Sequence, residues 1–220
     1  MHDREYDEMT MHSVFTPRDT WHGGYFELAI ELGPRSDDRL TAAVEHLWNS
    51  SQLKGCWIDS NREPSEGTRI AKNRSEIILN EEHLYGIAML DDGKNVACGC
   101  CAVREDGGID WLVFYLPMGA LARAYQNVGE YPFSRVGKRH NDTWVAPIEK
   151  WLERLGRFLF EKVDFRLALI GFEVSGSEYA DQLEKNGMPE KRWNCYLWRV
   201  VGELVWYGRT EDERPFGVGA

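Results

Sequence analysis

HLYGIAMLDDGKNVACGCCAVREDGGIDWLVFYL, residues 83–116, holds three apolar runs, His83 to Leu90, Asn95 to Arg104 and Ile109 to Leu116. Asp91-Asp92-Gly93 and Asp106-Gly107-Gly108 separate them. A glycine after aspartate supplies the positive φ of a tight hairpin, so the stretch predicts three consecutive antiparallel strands. Upstream, Tyr25 to Leu32 alternates, with Phe26, Leu28, Ile30 and Leu32 on one face and Glu27 and Glu31 on the other, before Gly33-Pro34 stops it. That pattern is a half-buried strand. Ser36 or Asp37 then offers an N-cap to a helix carrying Leu40, Ala43, Val44, Leu47 and Trp48 at helical spacing.

Downstream, Met118 to Gln126 admits a short helix and Gly129 to Lys138 reads as loop. Asp142 or Thr143 caps a strong amphipathic helix with Pro147 in its first turn and Gly156 inside it. Arg166 to Val174 is almost wholly apolar, as a central strand buried on both faces should be. Ser175 with Glu178 has the spacing of a capping box, and the helix through Leu183 stops at Gly187 with Pro189 beyond. Trp193 to Val201 and Glu203 to Tyr207 close as a hairpin. The polar stretch Asp59 to Ser75 is a surface loop with room for a short helix near Ile70 to Leu79. The order is β-α-(loop)-β-β-β-(insertion)-α-β-α-β-β.

At 220 residues the chain suits one domain, taken as 11–208 with an insertion at about 117–142, between a flexible lead at 1–10 and a flexible tail at 209–220. Apolar residues make up 43% and charged residues 28%, a globular balance. No run of eighteen apolar residues and no apolar leader occurs, so the expectation is a cytoplasmic protein without membrane contact. A net charge of −10 repels phosphate backbones, which argues against nucleic acid as a partner. The five cysteines, an odd number, are expected as reduced thiols. Cys98 and Cys101 form a C-x-x-C, but on a strand they diverge to opposite faces, and no second ligand pair exists; no metal is expected.

The element order resembles the GCN5-related N-acetyltransferase (GNAT) superfamily, and Leu183-Glu184-Lys185-Asn186-Gly187-Met188 is similar to that family's Tyr-x-Lys-x-Gly-Phe. The resemblance implies an α/β (α+β) fold with a mixed, largely antiparallel sheet of six to seven strands flanked by helices. It also implies acyl-CoA-dependent N-acyl transfer, with acetyl-CoA or another acyl-CoA as cofactor and a small-molecule or protein amine as acceptor. The coenzyme would enter a slot between the last meander strand and the strand ending at Glu173. Backbone N–H donors near Leu116 to Gly119 would polarise the thioester. The family's phosphate-cradling turn has its nearest counterpart in Arg135-Val136-Gly137-Lys138-Arg139-His140, about 25 residues past the meander, without the second small residue.

Several residues carry independent readings. Arg123, Arg135, Lys138, Arg139 and His140 stand against only Glu130 in their stretch, a basic island that suits a bound anion, or else is a solvated loop or an internal ion-pair partner for the acidic surface. Glu173 sits in the otherwise apolar run Leu167 to Val174, where loss of water would make it a base for an amine; the alternatives are a strand-end carboxylate that has reached solvent or one paired with a neighbouring Arg. Tyr115, Tyr179 and Tyr196 are placed to face a cleft between splayed strands, or to pack with a wet hydroxyl; the resemblance puts the family's general-acid tyrosine at Leu183, with Tyr179 one turn earlier as its candidate substitute. A different class of function is also open. Aromatic residues at 12%, several on predicted strands, framed by acids, suit a non-catalytic bacterial-type immunity or regulatory protein that holds a basic protein partner.

Overall fold

In the computed structural model the described residues are 13–64, 74–128, 131 and 143–211. The elements run β1 (Tyr25–Pro34), α1 (Asp37–Trp48), β2 (Leu53–Trp57), α2 (Arg74–Leu79), β3 (Leu84–Met89), β4 (Asn95–Arg104) and β5 (Ile109–Pro117). They continue with α3 (Met118–Ala124), α4 (Val145–Phe160), β6 (Leu167–Phe172), α5 (Ala180–Asn186), β7 (Cys195–Val200) and β8 (Glu203–Tyr207). The strands form one eight-stranded open sheet in the order β2-β3-β4-β5-β1-β6-β7-β8. Every neighbouring pair in it is antiparallel, where a mixed sheet of six to seven strands was expected. The added strand is β2, five residues interrupted by Gly55 and too short to show a period of two.

The β3–β4–β5 meander forms as the Asp-Gly turns predict: Gly93 and Gly108 have φ of 82° and 81°, and Leu90 and Glu105 close the two turns onto Lys94 and Ile109. One face of the sheet carries Phe26, Leu28, Ile30 and Phe114, covered by α1 through Leu40, Val44 and Leu47 and by α4 through Trp151, Leu152 and Leu155. At about 1.5–3 kcal/mol per fully buried side chain, these helices contribute the larger share of the core. Gly156 of α4 is explained by a side chain, since a Cβ there would lie 2.6 Å from Leu197 Cδ1. The opposite face buries Ala29, Trp111, Val113, Leu167, Leu169 and Tyr196 beneath Val174, Ala180 and Leu183.

Two helix starts differ from expectation. Trp144 occupies the N-cap position of α4 with no side-chain cap bond. Helix α5 begins at Ala180 and not at Ser175, because Glu178 turns away to accept from Tyr196 Oη (2.8 Å) and the N-terminal N–H of Ala180 finds Glu31 Oε2 at 2.7 Å. Gly187 stops α5 with φ 79°, as its position predicts.

The β7–β8 turn holds Val201 at φ 50° and Gly202 at φ 87°, with Val201 fully exposed. Left-handed backbone costs a β-branched residue about 1–2 kcal/mol, and here no packing offsets it. Asn-Gly is the favoured pair for such a turn. Val201→Asn is therefore expected to stabilise by about 1 kcal/mol, a rise in Tm of about 2–4 °C. Thermal unfolding followed by circular dichroism measures it, and a lower Tm would contradict the strain argument.

Candidate functional site

Tyr85, Gly99, Tyr115 and Glu27 are successive register partners across β3, β4, β5 and β1, so they project from the same face of the sheet. Gly99 is required there: a Cβ would fall 2.4 Å from Tyr115 Cζ, and the Tyr115 ring lies across the space it leaves. Tyr25, two residues before Glu27 on the same face, packs its ring 4.6 Å from Tyr115. His83 Nδ1 is 2.7 Å from Tyr115 Oη, and its ring stands parallel to Tyr85 at 6.1 Å. Trp21 closes the far side, edge-on to Tyr85 at 5.1 Å. Tyr115 is buried, Tyr25 and Tyr85 are half-buried, and His83 is exposed.

The other border is the turn after β6. Glu27 is only 6% exposed, yet its Oε2 accepts from Val174 N (2.8 Å) and Ser175 N (2.9 Å). Two adjacent N–H groups converging on one carboxylate form a small anion nest, filled from within the chain. Burial raises the Glu27 pKa, the two N–H bonds work against that, and burial wins. Holding this turn places Glu173 with φ 46°, its N–H bonded to Tyr25 O at 2.9 Å. The Glu173 side chain is exposed and meets no hydrogen-bond partner among the described residues. Its carboxylate lies over Gly24, where a Cβ would sit 2.7 Å from Oε1.

Electrostatically this shelf is acidic and aromatic. Burial pushes the Tyr25 hydroxyl up, with Glu173 and Glu27 adding to it. Burial also raises Tyr115 strongly and lowers His83, so the rings stay neutral near pH 7. Cys101, half-buried beside Glu27, is pushed up to about 12 by burial and is a thiol, not a nucleophile. Cys98 and Cys100 are fully buried with thiols raised well above the usual range by burial, as expected for packed cysteines.

Among the described residues, the transferase candidates are not gathered into one place. β1 lies between β5 and β6, where a coenzyme slot was expected, with partners Phe26↔Leu116 through Glu31↔Trp111 on one side and Phe26↔Phe172 through Glu31↔Leu167 on the other. Leu116 is fully buried. The N–H groups meant to polarise a thioester are already engaged, Met118 N with Gly24 O (3.0 Å) and Gly119 N with His22 O (2.9 Å). Glu173 is exposed and not desolvated. Tyr179 donates to Glu105 Oε1 (2.9 Å) and packs on Trp111, whereas Glu173 adjoins Tyr25, the partner of Pro117. Trp111 and Pro117 are six residues apart on β5, about 20 Å along the strand. Tyr196 is buried against Glu178. Arg123 donates to Ser13 O at 3.4 Å, and Arg135, Gly137, Lys138, Arg139 and His140 lie outside the described residues.

Cations do collect elsewhere, in a cleft of about 510 Å³ between the start of α1 and the α4–β6 connection, lined by Arg39, Lys162, Arg166 and Arg199 with Asp38 and Asp164. Most of that charge is spent internally: Arg166 pairs with Asp181 and Glu184, Arg199 with Asp164, and Arg39 Nη1 donates to Leu32 O at 2.6 Å. The sequence pattern missed the tyrosine shelf because its members come from β1, β3 and β5 and meet only through the pairing; the signal available was a tyrosine opposite a glycine on adjacent meander strands. No family model, curated protein or solved structure matches this chain. No described helix is long and apolar enough to cross a membrane, and the described residues contain no group of three metal-ligating side chains.

Proposed function

We propose that this is a non-catalytic binding protein, of the immunity or regulatory kind, which recognises a basic polypeptide through the tyrosine-bearing face of its sheet. The observation that carries this reading is the shelf itself: half-buried tyrosines beside an exposed carboxylate, on a chain with a net charge of −10. Aromatic side chains with a partly buried body and a wet hydroxyl supply contact area at low entropic cost, while the surrounding acids steer a positive partner and set register. Further along the same face, four residues from Gly99 and Tyr85 respectively, Val103 is 41% and Met89 39% exposed. Acyl transfer is not the reading adopted, because β1 stands where the coenzyme would enter and the expected N–H donors are occupied.

Two measurements test this. Titration of acetyl-coenzyme A into about 0.1 mM protein should give no binding heat; saturable heat would return the transferase reading. Hydrogen exchange in the presence of a twenty-residue Arg- and Lys-rich peptide should slow the amides of β3–β5 and of residues 173–175, with protection that fades as salt rises from about 0.05 to 0.5 M. Protection scattered over all the acidic turns, or indifferent to salt, would remove the proposal.

A further inference from the structure

Three features compete for a ligand. The cleft lined by Arg39 and Lys162 carries its own acids, and on the edge strand β8 the Leu204 carbonyl already accepts from Arg157 Nη1 at 3.0 Å. The shelf offers something more specific, because several of its polar groups have no partner among the described residues. Tyr25 Oη, Tyr85 Oη and the Glu173 carboxylate make no hydrogen bond among the described residues, whereas Tyr115 Oη is committed to His83. Neither Lys nor Arg of the described residues forms an ion pair with Glu173 or Glu27, although both carboxylates are close enough to raise Tyr25.

We propose that Tyr25, Tyr85 and His83, backed by the buried Tyr115 and closed at one side by Glu173, form a seat for a single arginine side chain of the partner. This rests on the reading of the protein as a binder of basic polypeptides and adds which residue type anchors there. Ring faces attract a cation within about 6 Å of their centroids, and a planar guanidinium can stack on a ring while its edge donates two parallel bonds to a carboxylate. Lysine offers a point charge without the plane and fits less well. The geometry supplies both halves: the Tyr25–Tyr115 pair is tilted by 57°, leaving an inclined aromatic wall, and Glu173 is attached to Tyr25 through its own N–H. The His83 imidazole, whose pKa is lowered by partial loss of water, adds a ring that gains a charge less readily than a free imidazole. Glu27 beneath the turn is not reachable, being 6% exposed with its Oε2 bonded to Val174 N and Ser175 N.

The experiment uses small probes and the whole chain. N-acetyl-arginine amide, N-acetyl-lysine methylamide and N-acetyl-citrulline amide are titrated in turn, with two-dimensional NMR of tyrosine rings and backbone amides as readout. The arginine probe should saturate at millimolar concentration and shift Tyr25, Tyr85 and the amides of residues 173–175, with lysine at least about threefold weaker and citrulline, which keeps the plane without the charge, about tenfold weaker. Glu173→Gln should weaken arginine binding about fivefold or more; Tyr25→Phe should leave it within about twofold and Tyr25→Leu should abolish it. Glu173 is exposed, so its variant remains informative if Tyr25→Leu fails to fold. Equal shifts from citrulline and arginine, or binding untouched by Glu173→Gln, overturn the arginine seat. If a basic peptide still protects β3–β5 in that case, the binder reading survives and only the anchor is wrong; if it protects nothing, both fall.

Discussion

Arg104→Ala is expected to lower the stability of the fold by about 3–5 kcal/mol, and Asp37→Ala, which removes another partner of the same guanidinium, by no more than about 1 kcal/mol. Arg104 grips Asp110 with two bonds, Nε to Oδ1 at 3.0 Å and Nη2 to Oδ2 at 3.1 Å, and Nη2 also reaches Asp37 Oδ1 at 2.6 Å. Asp110 Oδ2 additionally accepts from Ser36 N at 2.8 Å, which ties the β4–β5 hairpin to the chain entering α1. Burial decides the difference: the side chains of Arg104 and Asp110 are 5% and 2% exposed, whereas that of Asp37 is 67% exposed. Truncating Arg104 strands the Asp110 carboxylate without its counter-charge, and truncating Asp37 leaves the bidentate pair whole. In a chain of this length the larger loss is a fall in Tm of about 10 °C or more. Burial acts to raise the Asp110 carboxyl, and the bonds from Arg104 and Ser36 outweigh it, so its net shift is downward. A depressed carboxylate stabilises above the unfolded value and loses that contribution as pH falls through the folded one, so the gap between wild type and Arg104→Ala should narrow in strong acid. Urea titrations at two pH values measure all of this, and equal small effects for the two variants would remove the argument.

The legible parts of this fold are those set by neighbours in sequence. Aspartate-glycine turns announced the meander, and period-four spacing announced α1 and α4, because both signals act over a few residues. Pairing across long separations left no such trace. The alternation of β1 was read with Glu27 and Glu31 facing solvent, yet both are buried, at 6% and 1% exposure, beneath a segment about 145 residues later. Small Ala29 between them was the available hint, since a solvated face has no need of a residue that lets another layer approach. Glu173 misled in the opposite direction. The apolar run before it implied a continuing strand, but β6 ends at Phe172 and the chain turns through a left-handed residue that places the carboxylate in water. The tyrosines were visible as residues and invisible as a cluster, since only the order β3-β4-β5-β1 brings Tyr85, Tyr115 and Tyr25 together. The same order, with β1 inserted beside β5, fills the place where a coenzyme slot was expected.

Glu27→Ala should be the second large loss, about 2–5 kcal/mol, and the one that couples stability to binding. It leaves the buried Val174 N without its acceptor, at about 1–3 kcal/mol, and the part-buried Ser175 N adds a smaller loss. Glu27→Gln keeps an oxygen for these donors and should cost less than half as much. The pH dependence separates charge from shape. Burial, the dominant effect, raises the folded-state value of Glu27 despite the N–H bonds, and Glu31 is raised by burial in the same way. A raised carboxyl contributes stability that is fully present below its unfolded value, about 4.3, and is lost as pH climbs through the folded value. The contribution of Glu27 should therefore fall as pH climbs above about 4.3 and through its folded value, and Glu27→Gln should remove that part of the slope. Because the nest around Glu27 holds the turn that carries Glu173 beside Tyr25, Glu27→Ala should also abolish the arginine-probe shifts under conditions where the protein is still folded. Glu31→Gln, whose partner is the distant N–H of Ala180, should leave those shifts intact. A Glu27→Ala protein that loses under 1 kcal/mol, or that binds the probe as wild type does, would mean that the turn is positioned by its own backbone and that the buried carboxylate is incidental to the site.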